Sequence, residues 1–398
     1  MEYLTASFGS GESGHFWCRS GIPAQGHRWK VDRVDGEWVD LPAFNFVQTA
    51  EQSLVYMANT SLNKLDIDTG YIEEVYSWSE HDAPFCHLCV SNGKLLAGQT
   101  MLDLANFDTI TEFPILGPAY GALRDKEQAA APVRDGFVYL AGQQSHGRRS
   151  LYHIIDETMK IEKIADNISA FLMLPYGETF FAVCGGRLIC THLETGRKRW
   201  DRDYKRDLTC NPCGMEIFAD GNKGVHLMYS GDHLYLYHHA AFLNKYNAQT
   251  GELVSRVDTM SVNWKDTEDK NSRIVLRDLV IADNVFYVIH TVGFDDKISG
   301  IHTHSGDLVF QVHSNSTELR YLFTAGDLMF LSDTKNKRLF ARDRHNGELL
   351  WDLPHPVAEI TFGFPIQNKL IFYSVTGSIV CFDWDKVYVS KSNNIEAP

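Results

Sequence analysis

Two Cys-x-x-Cys pairs, Cys86-His87-Leu88-Cys89 and Cys210-Asn211-Pro212-Cys213, are the sharpest chemical signal in this sequence. Thiolates at that spacing can hold a zinc ion in tetrahedral geometry. The elements that would have to position them argue against it. Cys86 opens a strand-like run, in which residues three apart point to opposite faces. Cys210 and Cys213 fall in a long connection well over a hundred residues further along. The sequence therefore predicts buried or loop thiols and no metal. Gly9-Ser10-Gly11-Glu12-Ser13-Gly14 fits the glycine pattern of a dinucleotide loop, which needs a strand before it and a helix N-terminus after it. His15-Phe16-Trp17-Cys18 follows without a helix signal, so the segment reads as leader. His238-His239 and the group His290, His302 and His304 could act as ligands or as a base. His302 and His304 would share one face of a strand, and His290 lies across a loop carrying Asp295 and Asp296; packing histidines are the expectation. No G-x-S-x-G, H-E-x-x-H or P-loop occurs, and no cofactor is expected.

The elements behind these residues are set by internal repetition. Leu62-Asn63-Lys64-Leu65-Asp66-Ile67-Asp68-Thr69-Gly70 reads as a strand entering a tight turn, and Leu243-Asn244-Lys245-Tyr246-Asn247-Ala248-Gln249-Thr250-Gly251 nearly repeats it. Further copies end at Gly196, Gly306 and Gly347, with weaker ones near Ile110, Thr158 and Asp385. Alternating residues make the half-buried strand. Asp, Asn or Thr then bonds its own backbone, and glycine supplies the positive φ that closes the hairpin. The turns recur about every 37 to 55 residues, the period of a four-stranded propeller blade. A second hairpin signal precedes each, as in Val90-Ser91-Asn92-Gly93-Lys94-Leu95 and Val133-Arg134-Asp135-Gly136-Phe137-Val138. The sequence predicts an all-β propeller of eight four-stranded blades, or seven if one weak copy is irregular. Their expected starts are Phe44, Cys86, Ala130, Ala170, Val225, Ile274, Arg320 and Ile360. A ring must close to lose its exposed edges, so residues 28–38, another strand–turn–strand pattern, are expected to pair with the last blade. The organisation expected is a leader over 1–27, one propeller domain over 28–391 and a tail over 392–398.

Composition narrows the partners. The 37 basic and 51 acidic residues give a formal net charge of −14, which disfavours nucleic acid and anionic membranes. The start has no basic segment followed by an apolar run, no stretch is long and apolar enough to form a spanning helix, and the eight cysteines are scattered. A cytoplasmic chain with reduced thiols is the expectation.

Leu193-Glu194-Thr195-Gly196-Arg197-Lys198-Arg199-Trp200 resembles the blade repeat of quinoprotein alcohol dehydrogenases, and Arg344-His345-Asn346-Gly347-Glu348-Leu349-Leu350-Trp351 is a second good match. The resemblance, spread over residues 45 to 391, implies a propeller whose Trp docks between neighbouring blades. It also implies a quinone in the central channel over a disulfide of adjacent cysteines, with calcium beneath. This chain has no adjacent Cys-Cys pair. The resemblance therefore points to the non-catalytic members, which act as assembly scaffolds, and to cytoplasmic propellers that serve as immunity proteins against toxins.

Propellers bind partners through loops. The long connections here join blade to blade or the second strand to the third, and so share one end of the blades. They carry Trp78, Tyr120, Arg124, Arg148, Arg149, Trp264, Lys265, Phe294, Asp295 and Asp296, a mixture suited to a protein interface. The expectation is a protein partner bound through these residues. The alternative is a channel-centred small-molecule enzyme, such as a metal-dependent lactonase or hydrolase.

Overall fold

The computed structural model describes residues 15–16, 21–24, 26–31, 46–48, 53–58, 60–78, 88–114, 130–141, 149–174, 177–204, 225–238, 242–259, 262, 275–292, 295–314, 316, 318–357, 360–366, 368–374, 377–384 and 386–387. They form eight four-stranded antiparallel blades arranged as a β-propeller. The inner strands are Phe46–Gln48, Leu88–Ser91, Ala130–Val133, Ile168–Met173, Val225–Ser230, Val275–Ala282, Leu319–Ala325 and Ile360–Ile366. These starts fall within two residues of those read from the repeat. Blades 1 to 5, with the turn 303–305, belong to one compact unit; most of the rest of blades 6 to 8, with residues 14–39, belongs to a second.

Blades 1 to 7 are antiparallel meanders in which a tight turn joins the third strand to the fourth. In blade 1 the Asp66 carboxylate accepts the Asp68 and Thr69 amides at 3.0 and 2.7 Å, and Gly70 follows at φ 75°. Asn247 does the same for Gln249 and Thr250, ahead of Gly251. This is the physical content of the repeated phrase: a short polar side chain replaces the missing backbone partner, and glycine takes the left-handed position.

The cores lie between blades, where apolar residues of neighbouring sheets interdigitate. Leu172, Phe181, Leu188 and Trp200 of blade 4 pack with Leu234, Leu236 and Tyr246 of blade 5. Phe323, Phe330 and Trp351 of blade 7 pack with Ile360, Phe372 and Phe382 of blade 8. Both tryptophans are buried, and each indole N–H donates across its junction, Trp200 to the Ala248 carbonyl at 3.0 Å and Trp351 to that of Ala24 at 3.2 Å. Two blades without the Trp make a contact by other means. In blade 5 Ser255 donates its hydroxyl to the Thr303 carbonyl, and in blade 6 Phe310 packs where a Cβ on Gly347 would stand.

Blade 8 takes its outer strand from the start of the chain. His27–Val31 pairs antiparallel with Ile379–Asp383, as the closure argument requires. Two shorter pairings precede it. His15–Phe16 runs parallel to Thr324 and Ala325 on the inner edge of blade 7, and Gly21–Ile22 pairs with Lys386–Val387. The sequence reading has residues 1–27 as leader and gives no sign of either pairing, since two residues carry no periodicity.

Candidate functional site

Within a blade, the first-to-second and third-to-fourth turns leave one end, and the remaining connections leave the other. At the first end, two-residue turns occupy 92–93, 134–135, 231–232, 283–284 and 326–327, while blade 4 uses the longer connection 174–178. At the second end the strands are joined through 79–87, 115–129, 142–148, 205–224 and 263–274, which lie outside the described residues. So do Tyr120, Arg124, Arg148, Trp264, Lys265 and Phe294. Four of the ten residues singled out from the sequence are placed by the structure.

Those four belong to the frame. Trp78 is half-buried; its indole N–H donates to Thr100 Oγ1 at 3.2 Å and its ring meets Tyr76 edge-on at 4.7 Å. It thus ties the outer strand of blade 1 to the third strand of blade 2. Arg149 is 7% exposed and donates from Nε to the Ile168 carbonyl, while the Ile168 amide donates to the Arg149 carbonyl at 3.0 Å. Asp296 is fully buried; its carboxylate accepts the Leu319 amide at 3.1 Å, and its carbonyl accepts the Ser314 hydroxyl at 2.7 Å. Asp295 opens the strand Asp295–His302, opposite Val292. The sequence reading places Asp295 and Asp296 in a loop. The strands instead run to Val292 and resume at Asp295, so the connection is only 293–294 and Asp296 is a strand residue. The carboxylate there accepts a backbone N–H of the next blade, which helps a buried charge to be tolerated.

The other chemical candidates resolve similarly. Cys89 is buried with its thiol pushed well above the ordinary value by desolvation, while Cys86, Cys210 and Cys213 lie outside the described residues, as does Gly9–Gly14. No group of three or more His, Cys, Asp and Glu among the described residues is placed to hold a metal ion. His290 and His302 stand at opposite ends of their strand pair, aligned with Lys297 and Val285. His304 sits in the turn rather than on the strand face of His302, which corrects the sequence expectation. His290 is the most perturbed of them: fully buried and 2.8 Å from the Ser299 hydroxyl, with its pKa lowered to about 3 chiefly by desolvation. That geometry is a Ser–His contact, but both side chains are 0% exposed, so no substrate reaches it. The pair packs blade 6.

Sequence reasoning missed the polar contacts at the tight-turn end. The amide of the residue after the third strand donates to the first turn of its own blade in six blades, from Leu104, Asp156, Leu193, Ala248, Arg344 and Trp384. At two of these positions the residue is charged. The Asp156 carboxylate, 6% exposed, takes Lys94 Nζ and Asn92 Nδ2 of blade 2, each at 3.1 Å. Arg344, 7% exposed, takes Asp283 Oδ2 of blade 6 at 2.5 Å, with Tyr287 beside it. Aligning the repeats would have revealed both, as the two charged residues in an apolar column.

No protein-family model matches the chain, and neither does any curated protein. Solved structures do. The quinohemoprotein alcohol dehydrogenase ADHIIG from Pseudomonas putida HK5 is 10% identical with a TM-score of 0.62, over 94% of this chain and 78% of that one. BamB from Moraxella catarrhalis is 12% identical with a TM-score of 0.56, over 88% and 99%. Sqt1 from Saccharomyces cerevisiae is 11% identical with a TM-score of 0.55, over 97% and 99%. What these share with the chain is the β-propeller fold, and at such identities the likeness extends no further.

Proposed function

We propose that this chain is a non-catalytic, cytoplasmic propeller that binds another protein through the loop end of its blades, as a toxin-neutralising partner or an assembly scaffold. The observation that carries the reading is the asymmetry of the blades. One end carries two-residue turns in blades 2, 3, 5, 6 and 7. The other carries the long connections, and on them stand Tyr120, Arg124, Arg148, Trp264, Lys265 and Phe294. Aromatic and Arg side chains are the usual energetic centres of protein interfaces, and a surface with a net charge of −14 favours a basic partner. Trp78, Arg149 and Asp296 contribute by anchoring the strand ends from which these connections leave.

Capture of the tagged chain from its native host, followed by size and mass measurement, tests the reading. A stoichiometric complex is expected, and Tyr120→Ala, Arg124→Ala, Trp264→Ala and Phe294→Ala together abolish it with little change in Tm. A chain that stays alone, or a complex indifferent to the four substitutions, contradicts it.

A further inference from the structure

A ring of similar blades has a specificity problem that a single sheet does not. Every blade presents much the same apolar face, so a folding chain can dock a blade against the wrong neighbour at little cost in apolar area. The column of residues that follows the third strand holds Leu104, Leu193, Ala248 and Trp384, which tell one neighbour from another only by size. Asp156 and Arg344 break the column with charge, and they do so with opposite sign.

At the junction of blades 2 and 3 the cation is the first residue of the second strand, next to the turn, and the anion is in the column: Lys94 Nζ reaches the Asp156 carboxylate at 3.1 Å and its carbonyl oxygen at 3.1 Å, with the turn residue Asn92 on the second carboxylate oxygen. At the junction of blades 6 and 7 the order is inverted, Asp283 in the turn and Arg344 in the column. Both column residues are buried, so either charge left without its partner would be strongly disfavoured. Exchanging the neighbours would set Lys94 against Arg344 and Asp283 against Asp156. We propose that these two inverted ion contacts are a docking code that fixes which blade follows which. Their net contribution to the stability of the finished ring is small, because the burial of each charge offsets most of the attraction it gains. Their effect is on the competing arrangements, where like charges meet.

Two double variants of the full-length chain test this by refolding from denaturant. Lys94→Met with Asp156→Leu removes the code at one junction while keeping the volume. Its Tm stays within a few degrees of wild type, but the yield of native monomer falls at least twofold. Lys94→Asp with Asp156→Lys keeps an ion pair yet gives both junctions the same polarity, so that wrong neighbours now attract. It refolds with the lowest yield of the set, below the neutral pair. Wild-type yields for both variants overturn the proposal. So does a yield that falls only in proportion to Tm, including a variant with no native fraction, since that outcome assigns the pairs to stability alone.

Discussion

Trp200 and Trp351 occupy the same position in their blades and are supported differently. Trp200 donates to Ala248, in the turn of the blade that follows in sequence. Trp351 donates to Ala24, more than three hundred residues earlier, whose own amide is bonded to the Asp383 carbonyl at 2.9 Å. The first junction is made from adjacent parts of one chain. The second is completed only when residues 15–31 return to blades 7 and 8. The difference teaches that the repeat specifies the blades while an unrepetitive segment locks them, so damage at the two tryptophans should not have equal reach.

Removing residues 1–31 carries the largest expected effect. It strips blade 8 of its outer strand and Trp351 of its acceptor, and Tm should fall by more than about 10 °C in a thermal unfolding scan. A truncated chain as stable as the whole would erase the distinction between the junctions. Trp200→Ala and Trp351→Ala should each lose about 3–5 kcal/mol in denaturant titrations, as large buried side chains do. Hydrogen exchange separates them: amides of residues 27–31 become faster in Trp351→Ala and stay protected in Trp200→Ala.

Gly251 sharpens the first junction. It sits at φ 69°, and a Cβ there would lie 2.5 Å from the Trp200 ring. Gly251→Ala should cost about 2 kcal/mol, part from the backbone and part from the clash. In a Trp200→Ala background the clash vanishes and the cost should drop to about 1 kcal/mol, a coupling that a double-mutant cycle measures directly.

The smallest effect is a slope. His290 is held neutral by burial, with its pKa at about 3 in the folded chain, against about 6.5 when unfolded. Above that unfolded value the group contributes nothing to pH dependence. As pH falls from about 6.5 towards 3 the unfolded state gains a proton that the folded state refuses, and stability drops by up to about 1.4 kcal/mol per pH unit. His290→Gln should flatten the urea midpoint over this window, and a slope identical to wild type would refute the assignment.

Most of the fold is legible in the residues. The Asp66 and Asn247 turns announce themselves because the side chain that caps the backbone must sit at a fixed distance from the glycine. Residues 28–38 show a strand pattern, and His27–Val31 takes the closing place. The candidate site is less legible, because charge was taken as a sign of exposure. Asp296 and Arg149 are charged and buried, each satisfied by backbone groups that adjoin it only after the blades pack. The column holding Asp156 and Arg344 is different: its signal is in the sequence, and only the register of the repeats is needed to see it.

The two ends of the blades are proposed to differ in function. Hydrogen exchange on the chain with and without its captured partner tests that difference most directly. Protection on binding is predicted in 79–87, 115–129, 142–148, 205–224 and 263–274, with no change at the turns around Asn92, Asp135, Asp232, Asp283 and Asp327. Protection at those turns, with the long connections unchanged, would contradict it.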